Sequence, residues 1–313
     1  MEGLMKKICM TALVSFLLIL GACAKEEEKS EASGEKIEIV TTIAQIGEPL
    51  SVIGGDRVNV ESLMGSSVDP HLYKPTQSDI AKVGNAEMVF YNGLNLEANM
   101  VDMFNEISEE KPVLAIGESI QEGDLLKGEQ GEIDPHVWFD LNLWEEALGA
   151  AVEEMKKFAP EDADYFEANK QEYFGKLEEV KQEAEKLAEI PDERRILVTA
   201  HDAFGYFGRM HDMEVVGLQG LSTDGEIGIS DINETIDIIK EHQVPAIFVE
   251  SSINDSSIQA VIEGAGSAGI EVELGGELFS DAMGEAGTEE GTYIGMYLHN
   301  IETIYNALHG GDE

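Results

Sequence analysis

Short apolar runs alternate with amphipathic segments from Lys36 onward, and that alternation sets the expected architecture. Ile37 to Thr42, Val58 to Met64, Met88 to Tyr91 and Val113 to Ile116 are strand-length and rich in β-branched and aromatic residues. Between them, Ala44 to Ile53, Thr76 to Val83 and Leu96 to Ile107 carry helical spacing; the first must absorb Pro49, and the second opens on Thr76 and Asp79 in capping-box register. Asp140 can cap a helix whose Trp144, Leu148, Val152 and Met155 form one stripe. Pro160 then opens a long helix, Glu161 to Glu189, stopped by Pro191, with Phe166, Tyr173, Leu177, Val180, Ala184 and Leu187 at three-and-four spacing. At 1.5 Å per residue it would span about 43 Å, more than one small domain, which predicts a stiff strut between two lobes.

Beyond Pro191 the alternation resumes. Ile196 to Ala200, Val215 to Leu218, Pro245 to Val249 and Ile270 to Leu274 read as strands. The helices between them run through Phe207, from a Ser230 cap along Ile232, Ile236 and Ile239, and around Ile258 to Ile262; Tyr293 to Leu308 closes the chain. Strands separated by helices imply parallel sheets covered on both faces. The expected fold class is therefore α/β: an N-terminal lobe over 36–158, a linking helix over 159–190 and a C-terminal lobe over 191–313.

The segment before Lys36 reads differently. Lys6 and Lys7 precede an apolar run, Ile8 to Leu20, too short to span a bilayer as a helix but suited to a secretory signal, with Met5 as an alternative start. Leu20-Gly21-Ala22-Cys23 resembles the lipobox of bacterial lipoproteins, which makes 1–23 a signal and Cys23 the lipid attachment point. Residues 24–35 contain no large apolar side chain and read as a flexible tether. The only other cysteine, Cys9, lies inside the signal, so disulfides, zinc ribbons and cysteine nucleophiles are excluded from the mature chain. A formal charge of −43, from 63 acidic against 20 basic residues, argues against nucleic acid as a partner. Acid spread over every segment reads as a solvated surface adapted to high salt or high pH.

The chemistry concentrates in two identical triplets, Asp69-Pro70-His71 and Asp134-Pro135-His136. Proline fixes its own φ and keeps the preceding residue extended, so each histidine leaves a stiff corner with its imidazole aimed by the backbone. Asp-Pro also opens ordinary turns, but two copies joined by His201 and Asp281 point to a shared metal site. His71 and His201 follow predicted strand ends, Asp281 follows the strand ending at Leu274, and His136 ends an acidic loop after Ile116; ligands in open parallel sheets bind beyond such carboxyl ends. That places a metal in the cleft between the lobes. Three imidazoles and a carboxylate suit a divalent transition metal rather than calcium or magnesium. Glu250 and Asp202 are candidates for orienting the ligands. His211, His242, His299 and His309 are expected to be solvated.

The lipobox, Asp69-Pro-His-Leu-Tyr-Lys-Pro75, Asp134-Pro-His-Val-Trp-Phe139, Val198-Thr-Ala-His-Asp-Ala-Phe204, Gly217-Leu-Gln-Gly-Leu-Ser-Thr223, Phe248-Val-Glu-Ser-Ser252 and Phe279-Ser-Asp-Ala-Met283 together resemble the metal-binding lipoproteins of ABC importers for manganese, zinc or iron. The resemblance implies two Rossmann-like lobes joined by one long rigid helix, with the metal site in the cleft. It implies His71, His136, His201 and Asp281 as ligands of one transported divalent ion, and a membrane permease with a cytoplasmic ATPase as partner. The protein would be a lipid-anchored, non-enzymatic monomer on the outer face of the cell membrane. The loop 117–133 lacks the histidine-rich stretch of zinc-dedicated relatives, whereas His201 stands where many manganese relatives carry glutamate; the wording Gly217-Leu-Gln-Gly220 resembles the manganese branch of bacilli. Manganese is the favoured cargo, zinc the next, iron the third. A zinc metallohydrolase and a surface adhesin are the competing functions; there is no His-Glu-x-x-His, and four protein ligands would leave a tetrahedral metal no water position.

Overall fold

A computed structural model describes residues 35–128 and 130–310. The signal, Cys23 and nearly all of the tether lie outside the described residues. Among those described, no helix is long and apolar enough to cross a membrane.

The N-terminal half is a four-stranded parallel sheet. Its strands are β1 (Ile37–Thr41), β2 (Val58–Ser62), β3 (Met88–Tyr91) and β4 (Val113–Ala115), in the order β2-β1-β3-β4. Helices α1 (Ala44–Gly54), α2 (Gln77–Asn85) and α3 (Val101–Ile107) make the crossovers. Pro49 sits inside α1, and Thr76 and Asp79 form the expected capping box at α2, with the Thr76 N–H donating to Asp79 Oδ2 at 2.8 Å. The predicted helix from Leu96 is instead a 3₁₀ turn at Ala98–Met100 followed by the shorter α3.

The C-terminal half has two parallel ladders, β5 (Ile196–His201) with β6 (Glu214–Gln219) and β7 (Ala246–Glu250) with β8 (Glu273–Leu278). Strand β5 lies beside β7, so the four read across as β6-β5-β7-β8, the order of the first sheet repeated. Their crossovers are α6 (Gly205–His211), α7 (Ile229–His242) and α8 (Ser256–Ser267). Two boundaries differ from expectation. Helix α7 is capped at Gly228 rather than at Ser230; the Gly228 N–H donates to Asp231 Oδ2 at 2.7 Å, so a carboxylate three residues on satisfies the free amide at the helix start. Strand β8 runs from Glu273 to Leu278 rather than ending at Leu274; Gly275 and Gly276 interrupt its apolar pattern, and the register with β7 shifts past Gly275 before pairing resumes at Gly276.

Between the halves, α4 (Leu141–Phe158) starts on Asp140, whose Oδ1 accepts from the N–H groups of Asn142 and Leu143. The long helix is α5 (Ala163–Ala184), with 3₁₀ turns at Pro160–Asp162 and Glu185–Glu189. Its α-helical part therefore spans about 33 Å rather than the 43 Å expected. It packs against α1, α4 and the closing helix α9 (Tyr293–Leu308), touching elements of both halves. Every apolar residue of its predicted stripe is buried.

One hydrophobic core runs from Ile37 to Leu308 through both halves, and a smaller one, including Val198, Ile239, Ile247 and Val261, serves the C-terminal strands alone. Where the halves meet, the core is aromatic: Trp138, Trp144, Phe139, Phe204, Phe207, Tyr293 and Tyr297 are fully buried. Most polar tips in this layer are satisfied across the halves; the Trp144 indole N–H has no partner among the described residues. Tyr293 and Tyr297 hydroxyls donate to the carbonyls of Trp138 and Phe139, the Trp138 indole donates to Ser280 O, and the Tyr206 hydroxyl donates to Asp134 O. Such a layer holds the lobes as rigid bodies.

Candidate metal centre

All the candidate groups arrive from the carboxyl ends of strands. His71 lies on the loop after β2, His136 on the loop after β4, His201 is the last residue of β5, and Asp281 follows β8 by three positions. Two of them come from each half. Gly217, which pairs with Thr199 across the β5–β6 ladder, lets the backbone after His201 pass close by; a Cβ there would lie 2.4 Å from the Asp202 amide nitrogen and 2.7 Å from the His201 carbonyl carbon.

The structure gathers His71, His136, His201 and Asp281, each buried, with one ligand atom apiece inside 4.8 Å of the others. The three imidazoles meet through Nε2. His71 and His136 Nε2 are 3.3 Å apart; Asp281 Oδ2 is 3.2 Å from His201 Nε2 and 3.6 Å from His71 Nε2, and Asp281 Oδ1 is 3.4 Å from His136 Nε2. A tetrahedral ion with bonds near 2.1 Å would set its ligands about 3.4 Å apart, so the cluster has the size of one such ion. Neither Asp281 oxygen accepts a hydrogen bond from a backbone N–H or a hydroxyl, which leaves both directed at the imidazoles.

Carboxylates hold the outer faces of two rings. Asp134 Oδ1 lies 2.7 Å from His136 Nδ1 and also accepts the His136 main-chain N–H at 2.9 Å. Glu250, the last residue of β7, places Oε2 2.6 Å from His201 Nδ1 and accepts the His201 N–H on Oε1 at 2.8 Å. A carboxylate on Nδ1 fixes the tautomer that frees Nε2 for a metal. At the first triplet, Asp69 Oδ1 accepts the His71 N–H at 2.8 Å but does not reach its ring.

Charge in the cluster is balanced by protons. Burial opposes a charge on His136, but Asp134 and Asp281 outweigh it and push its pKa up to about 9. His201 is likewise disfavoured by burial and raised well above its ordinary value by Glu250 and Asp281. Burial would raise the Asp281 pKa, yet the surrounding imidazoles hold it well below the carboxylate range. His71 goes the other way: burial, only partly countered by Asp281, pushes it down to about 4. In the metal-free site both rings are thereby biased toward the protonated form.

Glu250 stands where an orienting residue was expected. Asp202 does not: it lies half-buried beside the cluster, where burial and Asp134 raise its pKa while His136 and His201 lower it, and its carboxylate makes no hydrogen bond to the four. Asp134 occupies that role instead, and the signal for it was in the triplet, since an aspartate two residues before a histidine can reach that histidine's own amide. His211 departs from its expected solvation. Four positions after Phe207 on α6, it falls on the same inward face, with Nε2 3.0 Å from the Tyr297 hydroxyl, and burial lowers its pKa to about 4.

Known proteins are similar to this chain in sequence and in fold. The family model described as zinc-uptake complex component A, periplasmic, matches residues 39–307. The chain belongs to this family. The manganese-binding lipoprotein MntA of Bacillus subtilis is 44% identical over 306 residues, covering 97% of this chain and all of the relative. The zinc-binding protein TroA of Treponema pallidum is 41% identical over 304 residues, covering 97% and 98%. A solved structure of periplasmic TroA superimposes with a TM-score of 0.86 at 44% identity, covering 88% of this chain and 99% of that one. The fold class follows: α/β, two helix-linked lobes with parallel sheets and the histidine–aspartate cluster in the cleft. The family is one of transport proteins, and the hydrolase and adhesin readings are set aside.

With Glu250→Gln the His201 ring loses its anionic acceptor while the main-chain contact to Oε1 is kept. Metal affinity is expected to fall about 10–100-fold with little change in the metal-free fold, as read by competition against a fluorescent chelator and by circular dichroism. Affinity within about twofold of wild type would remove Glu250 from the site.

Proposed function

We propose that the protein captures one divalent transition metal ion outside the cytoplasm, through His71, His136, His201 and Asp281, and delivers it to the membrane permease of an ABC importer driven by a cytoplasmic ATPase. The observation that carries this is the closed set of three Nε2 atoms and one carboxylate at 3.2–3.6 Å spacings, buried and drawn from both halves. The ion is cargo and the protein no enzyme, a reading that membership of a family of transport proteins supports. Cys23 would anchor the protein as a monomer to the outer face of the membrane, with 24–35 as tether and the lobe and linker boundaries as read above.

Manganese is the favoured cargo, zinc the next and iron the third. Relatives named for manganese and for zinc are almost equally similar to this chain. Both oxygens of Asp281 face the cluster, which supports a metal that accepts oxygen donors beyond four-coordination. Elemental analysis of protein purified without chelator, followed by competition between manganese and zinc, tests the reading; a stoichiometry of two equal tight sites, or none, would sink it. His201→Glu is expected to narrow the zinc-over-manganese affinity ratio, because imidazole favours zinc more than carboxylate does. An unchanged ratio would take the choice of metal away from His201.

A further inference from the structure

Of the four clustered residues, His71 is the most accessible at 4%, against 0% for His136 and His201 and 2% for Asp281, so the mouth of the site is at His71. It is also the one imidazole without a carboxylate on its Nδ1. Its aspartate is used otherwise. Asp69 Oδ1 accepts the His71 N–H at 2.8 Å, while Oδ2 accepts the Thr223 hydroxyl at 2.6 Å, from the loop after β6 in the opposite half. Thr223 is itself 92% buried and is held from behind: the Gln219 side-chain amide donates to Thr223 O at 2.6 Å and to Gly225 O. Gln219 is the ladder partner of His201. A continuous chain of contacts therefore runs from His201 through Gln219, Thr223 and Asp69 to His71, crossing from one half to the other at a single hydrogen bond. Other polar bonds between the halves lie away from this loop, in the aromatic layer and at Arg209, which donates to Asp124 O and Asp140 Oδ2.

We propose that the Asp69–Thr223 hydrogen bond is a latch that sets how long the metal is retained, an inference that rests on the four-residue site proposed above. Thr223 touches no ligand; it is a positioning residue that acts through Asp69. With the bond made, the His71 loop is tied to the half that carries His201, and His71 cannot swing out of the shell. Breaking it frees the outermost ligand first, the order that release toward a membrane partner requires. A hydrogen bond to a carboxylate is strong enough to change a rate by about tenfold or more, and because the bond closes after the ion has entered, the change belongs to dissociation.

The test uses manganese and zinc ions alone, loaded onto the chain lacking residues 1–23 and released into excess chelator in stopped flow. Thr223→Val, which keeps shape and loses the donor, is expected to release either ion about tenfold or more faster, with association changed less than about twofold; Thr223→Ser, which keeps the hydroxyl, is expected to restore slow release. In an Asp69→Ala background, which has already lost the acceptor, Thr223→Val should add nothing, an outcome that loosened packing alone would not produce. Wild-type release rates in Thr223→Val, or the same acceleration with and without Asp69, would overturn the latch while leaving the site intact. A wild-type protein that holds neither ion would overturn the site, and the latch with it.

Discussion

Asp281→Asn is expected to lower affinity for manganese and zinc on the order of 10²–10³-fold, the largest effect of any single substitution in the cluster. Three rings converge on this carboxylate, and it is the one anion whose oxygens both face them. Asparagine preserves the shape and removes the charge, and the loss of one partner from a buried charged set costs about 3–5 kcal/mol. The metal-free protein should feel the change as well. Asp281 helps Asp134 and Glu250 keep His136 and His201 protonated, so without it both rings should titrate at lower pH. Isothermal titration against a competing chelator reads the affinity, and NMR titration of the imidazole protons reads the pKa change. Affinity within about threefold of wild type would mean that the metal does not sit among these residues.

A saturating metal is expected to raise the melting temperature by about 8–16 °C at neutral pH. An ion that binds only the assembled site stabilises it by about 4 kcal/mol at a thousandfold excess over Kd, and a chain of this size gains about 2–4 °C per kcal/mol. The dependence on pH distinguishes the two forms. His136 has a folded pKa near 9, above its unfolded value near 6.5. Its protonated form therefore stabilises the metal-free protein fully below pH 6.5, and that contribution is lost as pH rises through 9. His71, lowered to about 4, does the reverse: its neutral form contributes above 6.5, and the contribution is lost as pH falls toward 4. Metal must displace the protons on His136 and His201, so affinity should rise with pH up to about 9. The metal-induced shift should accordingly be larger at pH 9 than at pH 7 and should collapse by pH 5. Differential scanning calorimetry at the three pH values decides this, and a shift independent of pH would contradict binding through imidazole.

Local pattern made most of the framework legible. The eight strands come from runs whose β-branched and aromatic residues fit a covered parallel sheet, and the helices between them from three-and-four spacing, because both signals depend only on near neighbours. Where boundaries moved, a neighbour outside the local pattern was responsible. Asp231 took the free amide at the start of α7, the pairing of β8 with β7 carried the strand past Gly275 and Gly276, and His211 was drawn inward by the face it shares with Phe207.

The same division holds at the cluster. The paired Asp-Pro-His triplets announced rigid, aimed imidazoles, since proline acts on its own residue and the one before it, and the sequence by itself was sufficient to name His71, His136, His201 and Asp281 as candidates. Their spacing to within 4.8 Å, the seating of Glu250 on His201, the preference for Asp134 over Asp202 and the bond from Thr223 to Asp69 were decided only by the tertiary structure. Each of these joins strand ends far apart in the chain, and which of them meet depends on the order of strands in the N-terminal sheet and the two C-terminal ladders and on the aromatic layer that fixes one half against the other. No periodicity within a segment carries that information.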